Sequence, residues 1–253
     1  MTVAQRADLI GRADTQVLLG EPVDVLLVRG AWAQVVIPGQ RTTLNTRGYP
    51  AWLPVSQLTA LAPQSTATMA TVVVPTTWLR TNLGAPTLEV SFGTRLPVIA
   101  VAGTSVELAL PGGRRLVADA SRLLLTKADG SPMAASGSAL LETARSFLGL
   151  PYLWAGTSAF GFDCSGLVYS VFRAHGVLLP RDADNQAGAG RPVPRAALQP
   201  GDLVFFATNG YIHHVAIYAG NGQILDSPRT GAAVEVIPLS TYSDYASARR
   251  VLP

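Results

Sequence analysis

The sequence predicts an α+β protein: two small β-barrels in tandem, followed by a larger unit of helices and strands. Three observations carry this reading. Charged residues make up only 14% of the 253 residues while Val, Thr, Gly and Pro are common, a mixture that favours strands and turns over helical bundles. The stretch TQVLLGEPVDVLLVRGAWAQVVIPG (15–39) lies without a gap over LEVSFGTRLPVIAVAGTSVELALPG (88–112). Near residue 130 the texture turns small and polar, and helical spacing follows. Apolar residues, at 48%, suffice for real cores.

The repeat divides the front half. Val17 meets Val90, Gly20 meets Gly93, Val25 meets Val98, Val28 meets Val101 and Gly30 meets Gly103. Pro38-Gly39 meets Pro111-Gly112, and the copies close on Ser56-Gln57-Leu58 and Ser121-Arg122-Leu123. Gly30 and Gly103 stand where two Val/Ile/Leu-rich strands must turn. Each copy is expected to form a barrel of about five short strands, over residues 1–64 and 65–128. Between Pro-Gly and the closing phrase the first copy has the longer insertion, 40–55 against 113–120. That loop carries Arg47, Tyr49 and Trp52 and is expected to reach beyond its own barrel, with Trp52 returning to the core.

The third unit, 129–253, begins with a linker-like KADGSPMAASGSA. SGSALLETARSFLG then reads as a helix, capped by Ser136 or Ser138, with Leu140, Leu141, Ala144 and Leu148 on one face and Gly149 at its end. DCSGLVYSVFRAHG reads as a second helix, with Leu167, Val168, Val171 and Phe172 at helical spacing, Asp163 as cap and Gly176 as stop. YIHHVAIYAG, a Gly-Asn-Gly turn and QILDS form a hairpin.

The only cysteine, Cys164, falls in the first turn of the second helix. There the unpaired N–H groups and the helix dipole favour a thiolate, although a lone cysteine also serves as a small apolar filler. Gly166 would let a substrate or another backbone approach. A nucleophile needs a base. His175 is about 16 Å away along the same helix and is expected to be partly exposed at its C-terminal end. His214 is better placed. If the hairpin turn centres on residue 220, His214 and Asp226 are directly opposite; centred one residue later, they are diagonal and still in reach. His213 faces the other way and has no acid so placed. Asp226 can hold one imidazole nitrogen while the other faces the thiol.

The composition excludes other classes. The formal charge of +3 is spread without a Lys/Arg run, which argues against nucleic acid as a partner. One cysteine makes no internal disulfide, and no Cys/His cluster has metal-ligand spacing, so no metal is expected. No stretch reaches the roughly 18 apolar residues of a membrane helix. The start, MTVAQRADLI, lacks a basic region followed by an apolar run. The expectation is a cytoplasmic monomer without membrane contact, or an exported protein if a leader has been trimmed.

Cys164 in FDCSG, LQPGDLVFF (198–206) and HVAIYAGNGQILDSP (214–228), in this order, resemble the NlpC family of bacterial cysteine peptidases over about residues 135–253. The resemblance implies a papain-like α+β catalytic domain behind two SH3-like barrels. It implies Cys164 as nucleophile, His214 as base and Asp226 as the orienting residue, a position more often held by His in the family. Tyr152, in LPYLWAG, matches a tyrosine near the developing oxyanion, with the Cys164 N–H as the other donor. Trp154 and Asp182 match substrate-binding positions of one branch, which removes L-Ala-γ-D-Glu from murein stem peptides with a free alanine amine. In that branch the first barrel lends an aromatic residue and an acid to the cleft. Tyr49 fits the aromatic, and Glu21 and Asp24 are both candidates for the acid. An ammonium in a closed cleft needs a carboxylate partner, and Asp182 suits it. The branch usually has serine where this chain has Ala183, so one hydrogen bond is missing. No cofactor is implied. The rival readings are a secreted hydrolase of intact peptidoglycan, a non-catalytic wall-binding module, and acyl transfer to an acceptor other than water.

Overall fold

The computed structural model describes residues 1–128, 133 and 135–252. Of the expected linker, residues 129–132 and 134 lie outside the described set. The chain forms two compact units: 17–39 with 47–132, and 1–16 with 40–46 and 133–253. This division differs from the expected boundaries at 64 and 128, because the first sixteen residues and part of the long insertion pack with the C-terminal unit.

In the first unit the duplication is visible strand by strand. The first copy forms β1 (Asp24–Arg29), β2 (Trp32–Ile37) and β3 (Tyr49–Pro54), in sheet order β1-β2-β3. The second forms β4 (Thr68–Val72), β5 (Thr76–Arg80), β6 (Pro86–Ser91), β7 (Arg95–Ala102), β8 (Ser105–Ala109), β9 (Arg115–Asp119) and β10 (Leu123–Lys127), in the order β10-β4-β7-β8-β9-β5-β6. β1 pairs with β2 as β7 pairs with β8, and both hairpins carry a bulge at equivalent places, between Val25 and Leu27 and between Val98 and Ala100. Gly30 and Gly103 turn the two hairpins at φ +59° and +57°, a region open to glycine at no steric cost.

Neither copy has the expected five strands. The second copy is a seven-stranded sheet around Val72, Leu79, Leu96, Val106, Leu108 and Leu116. The first copy has three strands, and β4–β6 and β10 have no counterpart in it among the described residues. The placement of its aromatics also corrects the expectation. Trp52 lies opposite Gln34 and is 41% exposed, whereas Tyr49 lies opposite Ile37 and is buried with Ala33, Val35 and Ile37.

The second unit is a mixed layer. α1 (Val3–Ala7), α2 (Gly137–Arg145), α3 (Cys164–Ala174) and α4 (Ala183–Gln186) are its helices. A small hairpin, β11 (Thr157–Ser158) and β12 (Gly161–Phe162), leads into α3. The main sheet comprises β13 (Arg191–Pro192), β14 (Leu203–Thr208), β15 (Tyr211–Gly220), β16 (Gln223–Asp226), β17 (Glu235–Pro238) and β18 (Tyr245–Arg250). Its order is β13-β18-β14-β15-β16-β17, antiparallel throughout. α3 packs on β15, and α2 packs on α3.

Ser136 caps α2 through the Ala139 N–H, and Leu140, Leu141 and Ala144 are buried. Leu148 is exposed instead of sharing that face, because the helix ends at Arg145 and the turn beyond buries Phe147. His175 is buried, not partly exposed: its Nε2 lies 2.9 Å from Thr143 Oγ1, on the helix packed against its own. Among the described residues no helix is long and apolar enough to cross a membrane.

Candidate active site

α3 begins at the thiol because Asp163 stops the preceding strand and caps the helix. Its Oδ1 accepts from the Gly166 N–H at 2.6 Å, and Cys164 is the first helical residue, partly exposed. Gly166 is required by a backbone: a Cβ there would lie 1.9 Å from the Gly156 carbonyl oxygen. Of the two expected reasons for this glycine, the close neighbour is protein.

β15 and β16 bring the base to the sulfur. Ile217 faces Leu225 and Tyr218 faces Ile224, so the turn centres one residue beyond 220 and His214 is diagonal to Asp226. His214 Nε2 lies 2.8 Å from Asp226 Oδ1, which leaves Nδ1 for the thiol; both residues are buried, Asp226 completely. Burial alone would lower the imidazole pKa, but hydrogen bonds to Asp226 and to Cys164, with the two negative charges, outweigh it and raise it to about 10. An imidazolium is thus set beside the sulfur. His213, expected to lack an acid partner, has one: its Nε2 lies 2.8 Å from Asp244 Oδ2, at a bulge where β15 leaves register with β14.

Tyr152 is buried close to Cys164. Burial, then the charges of Cys164 and Asp163, push its phenol pKa upward, so the hydroxyl stays protonated as a neutral donor. Cys164, His214, Asp226 and Tyr152 are thus brought together. Trp154 is half exposed and donates its indole N–H to the Ala13 carbonyl at 2.9 Å. Asp182 is half-buried at the N-terminus of α4, and Ala183 beside it is buried. Glu21 and Tyr49 belong to the barrel unit, where Glu21 Oε2 accepts from the Leu18 N–H at 2.8 Å. Asp24 pairs with Arg47 at 2.9 Å in the same unit.

Two functional groups escaped the sequence reading. Arg181, fully buried, grips Asp163 with both terminal nitrogens, Nη1 to Oδ1 at 3.1 Å and Nη2 to Oδ2 at 2.6 Å, and reaches Ser165 Oγ at 2.9 Å. It therefore ties the loop carrying Asp182 to the cap of the nucleophile helix. A lone arginine after a proline gave no periodic signal. The second is Tyr242, whose hydroxyl donates to Asp226 Oδ2 at 2.6 Å. The insertion and the first residues brace the same region. The Arg181 N–H donates to the Arg41 carbonyl at 2.8 Å, and the Gln16 side-chain oxygen accepts from the Thr157 N–H at 3.0 Å and from Ser158 Oγ at 2.9 Å.

A thiol at a helix start, an imidazole facing it from an antiparallel sheet and a buried acid behind the ring define a cysteine peptidase. Residues 149–251 match the NlpC/P60 family, and residues 72–121 match the YKFC SH3b2 domain. The chain is 40% identical to gamma-D-glutamyl-L-lysine dipeptidyl-peptidase of Bacillus cereus, over 96% of this chain and 76% of that protein. It is also 40% identical to the Bacillus subtilis protein of that name, over 89% of this chain and 76% of its relative. A crystal structure of an NlpC/P60 family protein from Bacillus cereus superposes with a TM-score of 0.93 at 38% identity, over all of this chain and 87% of that one. The chain belongs to the NlpC/P60 family of cysteine peptidases.

Proposed function

We propose that this peptidase hydrolyses the amide between γ-D-Glu and the diamino acid of murein stem peptides with a free N-terminal L-Ala, releasing L-Ala-γ-D-Glu. The observation that carries the chemistry is the row of thiol, imidazole and carboxylate. The substrate class is supported by the two relatives named gamma-D-glutamyl-L-lysine dipeptidyl-peptidase. Cys164 Sγ attacks the γ-carbonyl carbon of D-Glu. The Tyr152 hydroxyl and the Cys164 N–H receive the oxyanion. His214 gives its proton to the departing amine as the C–N bond breaks, then takes one from the water that cleaves the thioester. Asp226 holds the ring throughout.

The half-buried Asp182, pinned beside the helix cap through Arg181, is the partner we assign to the alanine ammonium. Trp154 is the further substrate contact of this reading. Every group in the catalytic row comes from one chain, so a monomer suffices.

The test is mass spectrometry of products from L-Ala-γ-D-Glu-L-Lys, its N-acetyl derivative and intact sacculi. Turnover of the free tripeptide alone is expected. Equal cleavage of the acetylated peptide would remove the ammonium pocket, and solubilisation of sacculi would favour a hydrolase of intact wall. A Cys164→Ala protein should lose at least about 10⁴-fold in kcat. Turnover at the parent rate would overturn the mechanism.

A further inference from the structure

We propose that Tyr242 is a positioning residue of this active site, holding Asp226 with its hydroxyl and His214 with its ring. The proposal rests on the reading of Cys164 and His214 as nucleophile and base. Tyr242 follows a short 3₁₀ turn, Leu239–Thr241, that leaves the end of β17. From there it returns over the sheet face that carries His214. Its ring stacks on the imidazole, with centroids 5.2 Å apart and planes at 28°, and it also packs against Phe206 at 4.4 Å. Its hydroxyl donates to Asp226 Oδ2 at 2.6 Å, while Oδ1 faces His214 Nε2 at 2.8 Å.

Asp226 has no exposure to water. Burying a carboxylate is costly unless its oxygens are supplied with donors. The imidazole supplies one oxygen and Tyr242 the other. Without the second donor Asp226 would hold the imidazolium less firmly, so the phenol acts on catalysis through the acid. The other groups whose charges bear on this cluster are Tyr152, Cys164 and Arg229, with Asp163 and Arg181 beyond them at the cap of α3. Burial and the neighbouring Asp226 charge push the Tyr242 phenol upward, so it remains a donor throughout the working range.

The ring has a second task. Once the sulfur is acylated it no longer holds Nδ1, and the orientation of His214 then depends on Asp226 and on the stacked face of Tyr242. That is the stage at which the imidazole must activate water.

The experiment is the pH profile of Cys164 alkylation by iodoacetamide, alongside steady-state kinetics, for the parent and Tyr242→Phe. The variant loses one oxygen atom and keeps the stack. Its acidic limb should move upward by about one pH unit, and kcat should fall about tenfold with KM within twofold. Tyr242→Leu, which loses the stack as well, should fall about 100-fold. In an Asp226→Asn background, Tyr242→Phe should cost less than twofold, since its target is gone. A Tyr242→Phe alkylation profile that superposes on the parent's would overturn the proposal. So would a rise in KM at constant kcat, which would make Tyr242 a substrate contact. Alkylation needs no peptide, so a wrong substrate assignment would leave this result intact.

Discussion

An aspartate meets an arginine at short range in each unit, and the two pairs differ in what surrounds them. Asp24 and Arg47, in the barrel unit, are 2.9 Å apart with side chains 48% and 57% exposed. Asp163 and Arg181, in the catalytic unit, are 2.6 Å apart with side chains 11% and 1% exposed. The first pair keeps most of its water and is screened by salt. The second has given up hydration and is compensated by its own forked hydrogen bonds, by Ser165 and Thr15 and by the helix N-terminus. The contrast extends to the units. Among the described residues the buried polar side chains of the barrel unit are Ser91 and Thr94, whereas the catalytic unit buries Asp163, Arg181, Asp202, His214 and Asp226. Burying charge is a poor route to stability, so its concentration here marks where geometry had to be fixed for chemistry.

The sharpest way to break that comparison is at Asp226. Asp226→Asn keeps the shape and removes the charge, and kcat should fall by about 10²–10³-fold with little change in KM. The pH dependence of stability should change too. The imidazole pKa is raised from 6.5 to about 10 in the folded protein, so the native state binds this proton more tightly than the unfolded chain. Its contribution is complete below about pH 6.5 and is lost as pH rises through about 10. Urea midpoints of the parent should therefore decline across that window, and those of Asp226→Asn should decline less. A slope unchanged by the substitution would separate the acid from the imidazole.

Next in size is Arg181→Met. It leaves Asp163 buried without its cation and should destabilise by about 3–5 kcal/mol in urea unfolding. The double variant Asp163→Asn with Arg181→Met should regain most of that loss, since Asn still caps a helix and no bare charge remains. Slowed alkylation of Cys164 should persist in the double variant if the pair also orients the nucleophile. Recovery of stability and reactivity together would reduce the pair to a structural role.

What was legible in the sequence followed local rules. Asp163 before an apolar periodicity marked a capped helix, and the thiol fell in its first turn. The hairpin placed His214 within reach of Asp226, with the two possible registers one residue apart; the coordinates select the diagonal one. The repeat was legible to the level of matched glycine turns. What was hidden depended on which face or which distant strand a residue meets. A period of two does not say which face is inward, hence the exchange of Tyr49 and Trp52. His175 stands at a helix end where exposure is the usual outcome, but it is buried and meets Thr143 of α2, which packs against α3. Arg181 and Tyr242 act across eighteen and sixteen residues on single acids, by contacts with no periodic trace.

The smallest effect belongs to the exposed pair, and it completes the comparison. Arg47→Ala removes a cation at 2.9 Å from a carboxylate, chemically the same loss as at Arg181. Here water replaces the lost partner on both sides, and ordering two long side chains had already cost entropy. The change in stability should be within about 1 kcal/mol. It should also shrink further in 1 M salt, where the screening length falls to about 3 Å. The deficit of Arg181→Met should persist in that salt, because ions do not enter the buried site. An Arg47→Ala deficit as large as that at Arg181, and equally indifferent to salt, would mean that burial is not what separates the two pairs.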